Sequence, residues 1–330
     1  MITRSTPSVQ PVEWGQELKL AYTDPRQLLR DLGIPDNQVA LGDGAGFAFR
    51  VPRPFASRMR PGDAADPLLR QVLPLAAEAG HAAGFTTDPV ADLASRRGAK
   101  VLQKYHGRAL LMLTGACAIN CRYCFRRHYP YAGVSGGNDA LLGAVRADAT
   151  ISELILSGGD PLMLRDDALA RLIDDIAAIG HVRRLRIHTR LPVTIPSRLT
   201  PALIDALTRS RLTSTIVVHI NHPNEIDAEL HETLRTTARA GIPLLNQSVL
   251  LRGINDDPNV LARLSESLFD AAVLPYYIHL LDPVQGAAHF DVDETTARGL
   301  ARILRDTLPG YLVPRFAREV PGASAKHVIA

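Results

Sequence analysis

The spacing of apolar residues changes near position 107. Upstream, DPRQLLRDLGI (24–34) and DPLLRQVLPLAAEA (66–79) carry apolar positions at helical intervals, and the first stops at Gly-Ile-Pro. Between them, FRVPRPFASRMRPGD (49–63) holds three prolines and four arginines and reads as a loop, with a solvated basic surface favoured over a docking patch. Downstream, short apolar runs alternate with helical patterns. The predicted strands are 109–114, 153–157, 185–189, 215–220, 244–249 and 276–281. The predicted helices lie near 138–147, 166–179, 201–209, 225–240, 258–270 and 293–307. Near-continuous apolar strands with helical crossovers predict a parallel sheet buried on both faces. Six units fall short of a closed eightfold barrel, so the expected fold class is α/β, a partial (β/α)6 barrel, with a doubly wound sheet as the alternative. The expected division is a mainly helical, irregular region over 1–100, then a core over 101–307. In either topology the working site belongs at the C-terminal ends of the strands.

Composition narrows the function class. The chain has 330 residues, 46% hydrophobic and 22% charged, enough for a large core and too apolar for wholesale disorder. A net charge of +3 is too small for binding nucleic acid by charge alone. No apolar run is long enough to span a membrane, and residues 1–16 lack a continuous apolar leader, so a cytoplasmic location is expected. The chain has three cysteines, Cys117, Cys121 and Cys124, all within eight residues. An odd number without an export signal argues against a disulfide framework.

Those cysteines lie in LTGACAINCRYCFRR (113–127), directly after the first predicted strand of the alternating region. A structural zinc site needs four ligands, commonly in two pairs, and there is no second cysteine pair. A redox pair at Cys121 and Cys124 leaves Cys117 unexplained, and inert buried thiols are the third alternative. An iron–sulfur cluster uses all three. A four-iron cubane normally takes four thiolates, so three protein ligands leave one iron open to an exogenous ligand. The next strand ends in LSGGDPLM (156–163), a glycine turn that lets backbone approach a ligand, or else a plain turn in which Asp160 and Pro161 start a helix.

C-x3-C-x2-C on this loop resembles the radical S-adenosylmethionine superfamily. Together with SGGDPLM, HINHPNEI (219–226), NQSVLLRGINDD (246–257), YYIHLLDPVQGAAHF (276–290) and the C-terminal REVPGASAKHVIA (318–330), it resembles the lysine 2,3-aminomutase family over roughly residues 60–330. The resemblance implies a 4Fe–4S cluster on Cys117, Cys121 and Cys124, with S-adenosylmethionine on the open iron and beside Ser157, Gly158, Gly159 and Asp160. It implies pyridoxal 5′-phosphate on Lys326, in a C-terminal segment, 308–330, that closes the site, with Lys104, Arg108 and Gln247 near that cofactor. It implies Arg126 for the substrate carboxylate and Asp282 with Glu319 for a substrate ammonium. Longer members of the family have aspartate where Glu319 stands, and the family has a glycine run where Ala323-Ser324-Ala325 stand. His219, Asn221 and His222 point toward the same mouth, with a hydrogen-bonded core role at least as well supported.

The implied reaction moves the α-amino group of free L-lysine to the β-carbon. VEWGQELKLAYTDPRQLLRDLGI (12–34) resembles a short bacterial form whose product, taken to be the R isomer, modifies translation elongation factor P through a separate ligase. The partners then expected are free lysine and a one-electron reductant of the flavodoxin or ferredoxin type. A nucleic-acid or membrane partner is not expected, and homo-oligomerisation stays open. The competing readings are a radical enzyme on another amino acid, a non-catalytic iron–sulfur protein and a structural zinc protein.

Overall fold

The computed structural model describes residues 13–44, 46–97, 100–131 and 138–330. Most of the expected leaderless stretch 1–16, the first residue of the 12–34 segment, and positions 45 and 98–99 of the N-terminal region lie outside the described residues.

Nine strands form one sheet in sequence order: β1 (Val101–Leu102), β2 (Arg108–Thr114), β3 (Glu153–Gly158), β4 (Arg184–Thr189), β5 (Thr213–Val218), β6 (Leu244–Val249), β7 (Val273–His279), β8 (Arg315–Arg318) and β9 (His327–Val328). Strands β2 to β8 pair parallel, while β1 and β9 pair antiparallel at the two edges. The order never reverses, which rules out the doubly wound alternative. The sheet is open, an α/β partial barrel with all six predicted strands in place. Two C-terminal strands extend it: residues 308–330 add β8 and β9 to its edge.

Helices α1 (Trp14–Lys19), α2 (Pro25–Asp31), α3 (Arg53–Ala56) and α4 (Pro67–Arg70) precede the sheet. Helices α5 (Asn138–Arg146), α6 (Asp166–Ala177), α7 (Leu191–Thr194), α8 (Pro201–Arg209), α9 (Ala228–Arg239), α10 (Pro258–Asp270) and α11 (Glu294–Thr307) connect its strands. Helices α9, α10 and α11 start on side-chain caps. Asp227 accepts from Leu230 N, Asp257 from Asn259 and Val260 N, and Asp293 from Thr296 N. In α6, Leu169, Leu172, Ile173 and Ile176 form one buried stripe against the sheet. A side chain of that size contributes roughly 1.5–3 kcal/mol when fully buried.

Three expectations need correction. The sheet is not apolar on both faces: Leu185 and Ile187 of β4 join the helix-covered core, whereas Arg186 and His188 alternate onto the concave face. The stretch 66–79 is no single helix: one turn, α4, is followed by a 3-10 turn at Ala76–Ala79, because Pro74 cannot continue the backbone ladder. The basic stretch 49–63 is only partly solvated: Arg53–Ala56 forms a helical turn, and Arg58 is buried with Nε 2.6 Å from Asp227.

The N-terminal region has its own core of Leu28, Leu29, Val51, Phe55, Leu68 and Leu69, and Ile119 of the cysteine loop packs into it.

Candidate active site

The cysteine loop leaves β2 where its register with β3 shifts, between Met112 and Thr114. Gly158 and Gly159, at the end of β3, let the two backbones touch. A Cβ on Gly158 would lie 2.5 Å from the Thr114 carbonyl oxygen, and one on Gly159 would lie 2.3 Å from that of Ala116. Gly158 also has φ +126, which disfavours any side chain. The close approach expected of this turn is therefore to the cysteine loop itself.

Two arginines inside the loop tie it to the N-terminal region. Arg122 is fully buried; its Nε donates to Glu78 Oε1 at 2.7 Å, and its Nη2 donates to the Gly44 carbonyl at 2.9 Å. Arg127 Nη2 donates to the same Glu78 at 2.6 Å. One buried carboxylate thus grips both sides of Cys124.

Burial, then the neighbouring thiols, pushes Cys117 well above its usual range and Cys124 up to about 11. The charges of three thiolates so close together would repel until a cationic centre binds them, which suits a sulfur-ligated iron cluster. The sequence offers no second cysteine pair to complete a four-ligand zinc site.

Asp160 is bonded within the protein. It is buried, and its carboxylate accepts from Thr189 Oγ1 at 2.7 Å and from the backbone N–H groups of Leu162, Arg190 and Leu191. It caps the Pro161–Met163 turn and fastens the end of β3 to the end of β4. Through the backbone N–H of Arg190 it also holds that residue in place. Arg190 Nη1 lies 2.7 Å from Cys121 Sγ and also reaches Tyr123, while its Nη2 meets Gln71 and Glu225. Asn221 donates to Gln71 and Tyr123, His219 Nε2 lies 3.0 Å from the Tyr123 hydroxyl, and His222 accepts from Asn224 N. Asn221 and His222 thus belong to a hydrogen-bonded core, and His219 lines the mouth beside Tyr123.

Five of the predicted residues gather in one charged chain. Arg126 Nε donates to Asp92 Oδ2 at 2.7 Å, and Arg126 Nη1 donates to Ser157 Oγ at 3.2 Å. Lys104 Nζ pairs with the other Asp92 oxygen at 2.7 Å and lies 3.7 Å from Glu319. Glu319 receives Lys326 Nζ at 3.0 Å and the Tyr105 hydroxyl at 2.5 Å. Burial would raise Glu319, but Lys326, Tyr105 and Lys104 hold it below its usual range. Burial pushes Asp282 up to about 7, against the pull of Lys326 and with the push of Glu319. A cavity of about 390 Å³ opens beside this chain, lined by Arg96, Lys104, Tyr105, Glu319, Gly322 and Ala323.

Deeper in the concave face, Gln247 Nε2 lies 3.3 Å from His188 Nδ1, and Lys326 stands over the Tyr277 ring at 5.9 Å. Burial, then nearby positive charge including Lys326, holds His188 and His279 well below the usual histidine range, so both are neutral. Arg108 stacks over Tyr105 at 5.0 Å, which links it to the same mouth. Sequence reasoning did not single out Asp92, Tyr105, His188, Arg190 or His279. The alternation of His188 and His279 along predicted strands was a usable signal; Asp92 had none.

The residues fit the implied groups. His188 Nε2 and Arg190 Nε are buried without a protein partner, one in the mouth and one beside Cys121. Lys326 is partly exposed, with basic Lys104 nearby and glycine at 322.

An open parallel sheet with three thiols at the end of its first parallel strand defines a radical SAM enzyme, and residues 111–264 match the model of the Radical SAM superfamily. The L-lysine 2,3-aminomutase of Escherichia coli (strain K12) is 48% identical over 99% of this chain and 96% of its own length. The L-lysine 2,3-aminomutase of Haemophilus influenzae is 44% identical over 96% and 95%. That of Clostridium subterminale is 35% identical over 82% of this chain and 66% of its own. The chain belongs to the lysine 2,3-aminomutase family. It is an isomerase of the radical SAM class, and the cofactors of that class and family are a 4Fe–4S cluster, S-adenosylmethionine and pyridoxal 5′-phosphate. No helix among the described residues is long and apolar enough to cross a membrane.

Proposed function

We propose that this enzyme converts L-lysine to β-lysine by moving the α-nitrogen to Cβ. The observation that supports this reading is the charged chain from Arg126 through Asp92, Lys104 and Glu319 to Lys326, which brings the arginine and the lysine of the family resemblance into one mouth.

When bound, pyridoxal phosphate supplies an aldehyde carbon that holds the migrating nitrogen, and the cluster with S-adenosylmethionine supplies a carbon radical that borrows a β-hydrogen. The protein orients these groups and excludes other reactions. Cys117, Cys121 and Cys124 would hold the cluster, and Ser157, Gly158 and Gly159 would line the place of S-adenosylmethionine beside it. Lys326 would hold the aldehyde, Lys104 and Arg108 would hold the phosphate, and Gln247 would contact the same cofactor. The fork of Arg126 takes the substrate carboxylate. Asp282 receives the ε-ammonium, which needs a charge partner once desolvated, and Glu319 turns to it when Lys326 is engaged. The migration is redox-neutral overall, so a flavodoxin- or ferredoxin-type reductant is needed only to prime the cluster. The short-form resemblance over 12–34 assigns the R isomer as product and modification of elongation factor P as its use.

The test is anaerobic turnover of iron-reconstituted enzyme with pyridoxal phosphate, S-adenosylmethionine, dithionite and labelled L-lysine. The expected product is β-lysine. Release of 5′-deoxyadenosine without β-lysine would move the substrate to another amino acid or to a protein-bound lysyl group.

A further inference from the structure

Asp92 lies on a strap formed by residues 86–97 that crosses the mouth. Backbone hydrogen bonds fasten the strap to the loop that carries Asp282: Thr86 N donates to the Pro283 carbonyl at 2.8 Å, and Gln285 N donates to that of Thr86 at 2.9 Å. Within the strap, Asp88 accepts from the backbone N–H of Asp92 at 2.9 Å and of Leu93 at 3.1 Å, which fixes the turn. The Asp92 side chain is 2% exposed. Its two oxygens face two cations with different predicted tasks, Arg126 at 2.7 Å and Lys104 at 2.7 Å.

A guanidinium has five N–H donors in a planar fork. Asp92 takes the Nε edge of Arg126, and Ser157 Oγ takes one hydrogen of Nη1. The remaining donors lie at the Nη end, so an incoming carboxylate has one direction of approach. Without Asp92 the guanidinium is free to turn its Nε edge into the mouth.

We propose that Asp92 is a positioning residue that sets the orientation of Arg126 toward the substrate carboxylate and couples it, through Lys104, to the cofactor end of the mouth. The inference rests on the reading of Arg126 under the proposed function. The null alternative is a buried structural ion pair whose loss only lowers stability.

The test compares wild type, Asp92→Asn, Arg126→Lys and the double variant in anaerobic lysine turnover, with iron content and thermal midpoint measured on each. Expected for Asp92→Asn is a KM for L-lysine raised about tenfold or more with kcat within about threefold, as for loss of an interaction that orients binding. In the Arg126→Lys background the same change should add little, because the group it orients is gone. Should Asp92→Asn fail to fold, Asp88→Ala removes the clasp that holds the strap while keeping both cations and Asp92, and a smaller rise in KM alone is expected. An unchanged KM, or effects of Asp92→Asn and Arg126→Lys that simply multiply, overturns the inference and leaves the lysine reading standing. Wild-type enzyme that makes no β-lysine overturns the lysine reading, and the inference with it.

Discussion

Lys326 and Glu319 stand seven residues apart across the C-terminal turn, and their side chains meet at 3.0 Å. The same glutamate holds the Tyr105 hydroxyl, so the lysine is clasped from the sheet side as well as from its own segment. A lysine so held is poised near the mouth instead of trailing in solvent.

Replacing Lys326 by alanine should abolish the absorbance of bound pyridoxal phosphate while leaving the iron–sulfur spectrum intact. Absorption spectra of the reconstituted variant check both at once. Retained cofactor absorbance would remove Lys326 from the site.

Replacement of Cys117, Cys121 or Cys124 by alanine should abolish cluster assembly, with iron content near zero and no reductive release of 5′-deoxyadenosine. A variant that kept full iron and activity would overturn the cluster assignment.

Under the proposed function, Asp282 should give lysine binding a pH dependence. Its carboxyl titrates at about 7, raised by burial, and only the ionised form pairs with an ammonium. Below that pH the protonated acid binds lysine poorly, so KM should fall as pH rises from about 6 to 8, by up to about tenfold per unit below the pKa. Stability runs the other way. The folded state keeps this proton while the unfolded chain loses it near the ordinary carboxylate value, so this group's contribution to stability declines between about 4 and 7 and is level above. Asp282→Asn should raise KM and remove its inflection near 7, which a KM–pH series reads directly.

Glu78→Ala leaves Arg122 and Arg127 buried without their charge partner. Removing one member of such a pair costs about 3–5 kcal/mol. Denaturant titration of the iron-loaded protein should show that loss, together with faster release of iron. A stability change under about 0.5 kcal/mol would mean that the clamp does little.

The six central strands were legible because each is a short apolar run between helical patterns. Strands β8 and β9 were not: four and two residues carry no periodicity, and they exist only by pairing with β7 and each other. The cysteines stood out by their spacing and their place after a strand. Lys326 and Glu319 stood out only through family resemblance, since a lysine near a chain end is ordinarily solvated. Asp160 followed its local signature, Asp-Pro-Leu, and became a cap. Asp92 and Glu78 were invisible because the arginines they hold lie 34 residues away from Asp92 and 44 and 49 from Glu78. Pairings of that reach are set by how the N-terminal region drapes over the sheet.

The clamp at Glu78 also carries an order in time. Chains emerge from the ribosome N-terminus first, and domains begin folding in that order. Glu78 and the Gly44 carbonyl that receives Arg122 are both synthesised before Cys117. The anchors for the cysteine loop are therefore available when its thiols appear, and a core begun near residue 100 would present those thiols on a loop with neither anchor.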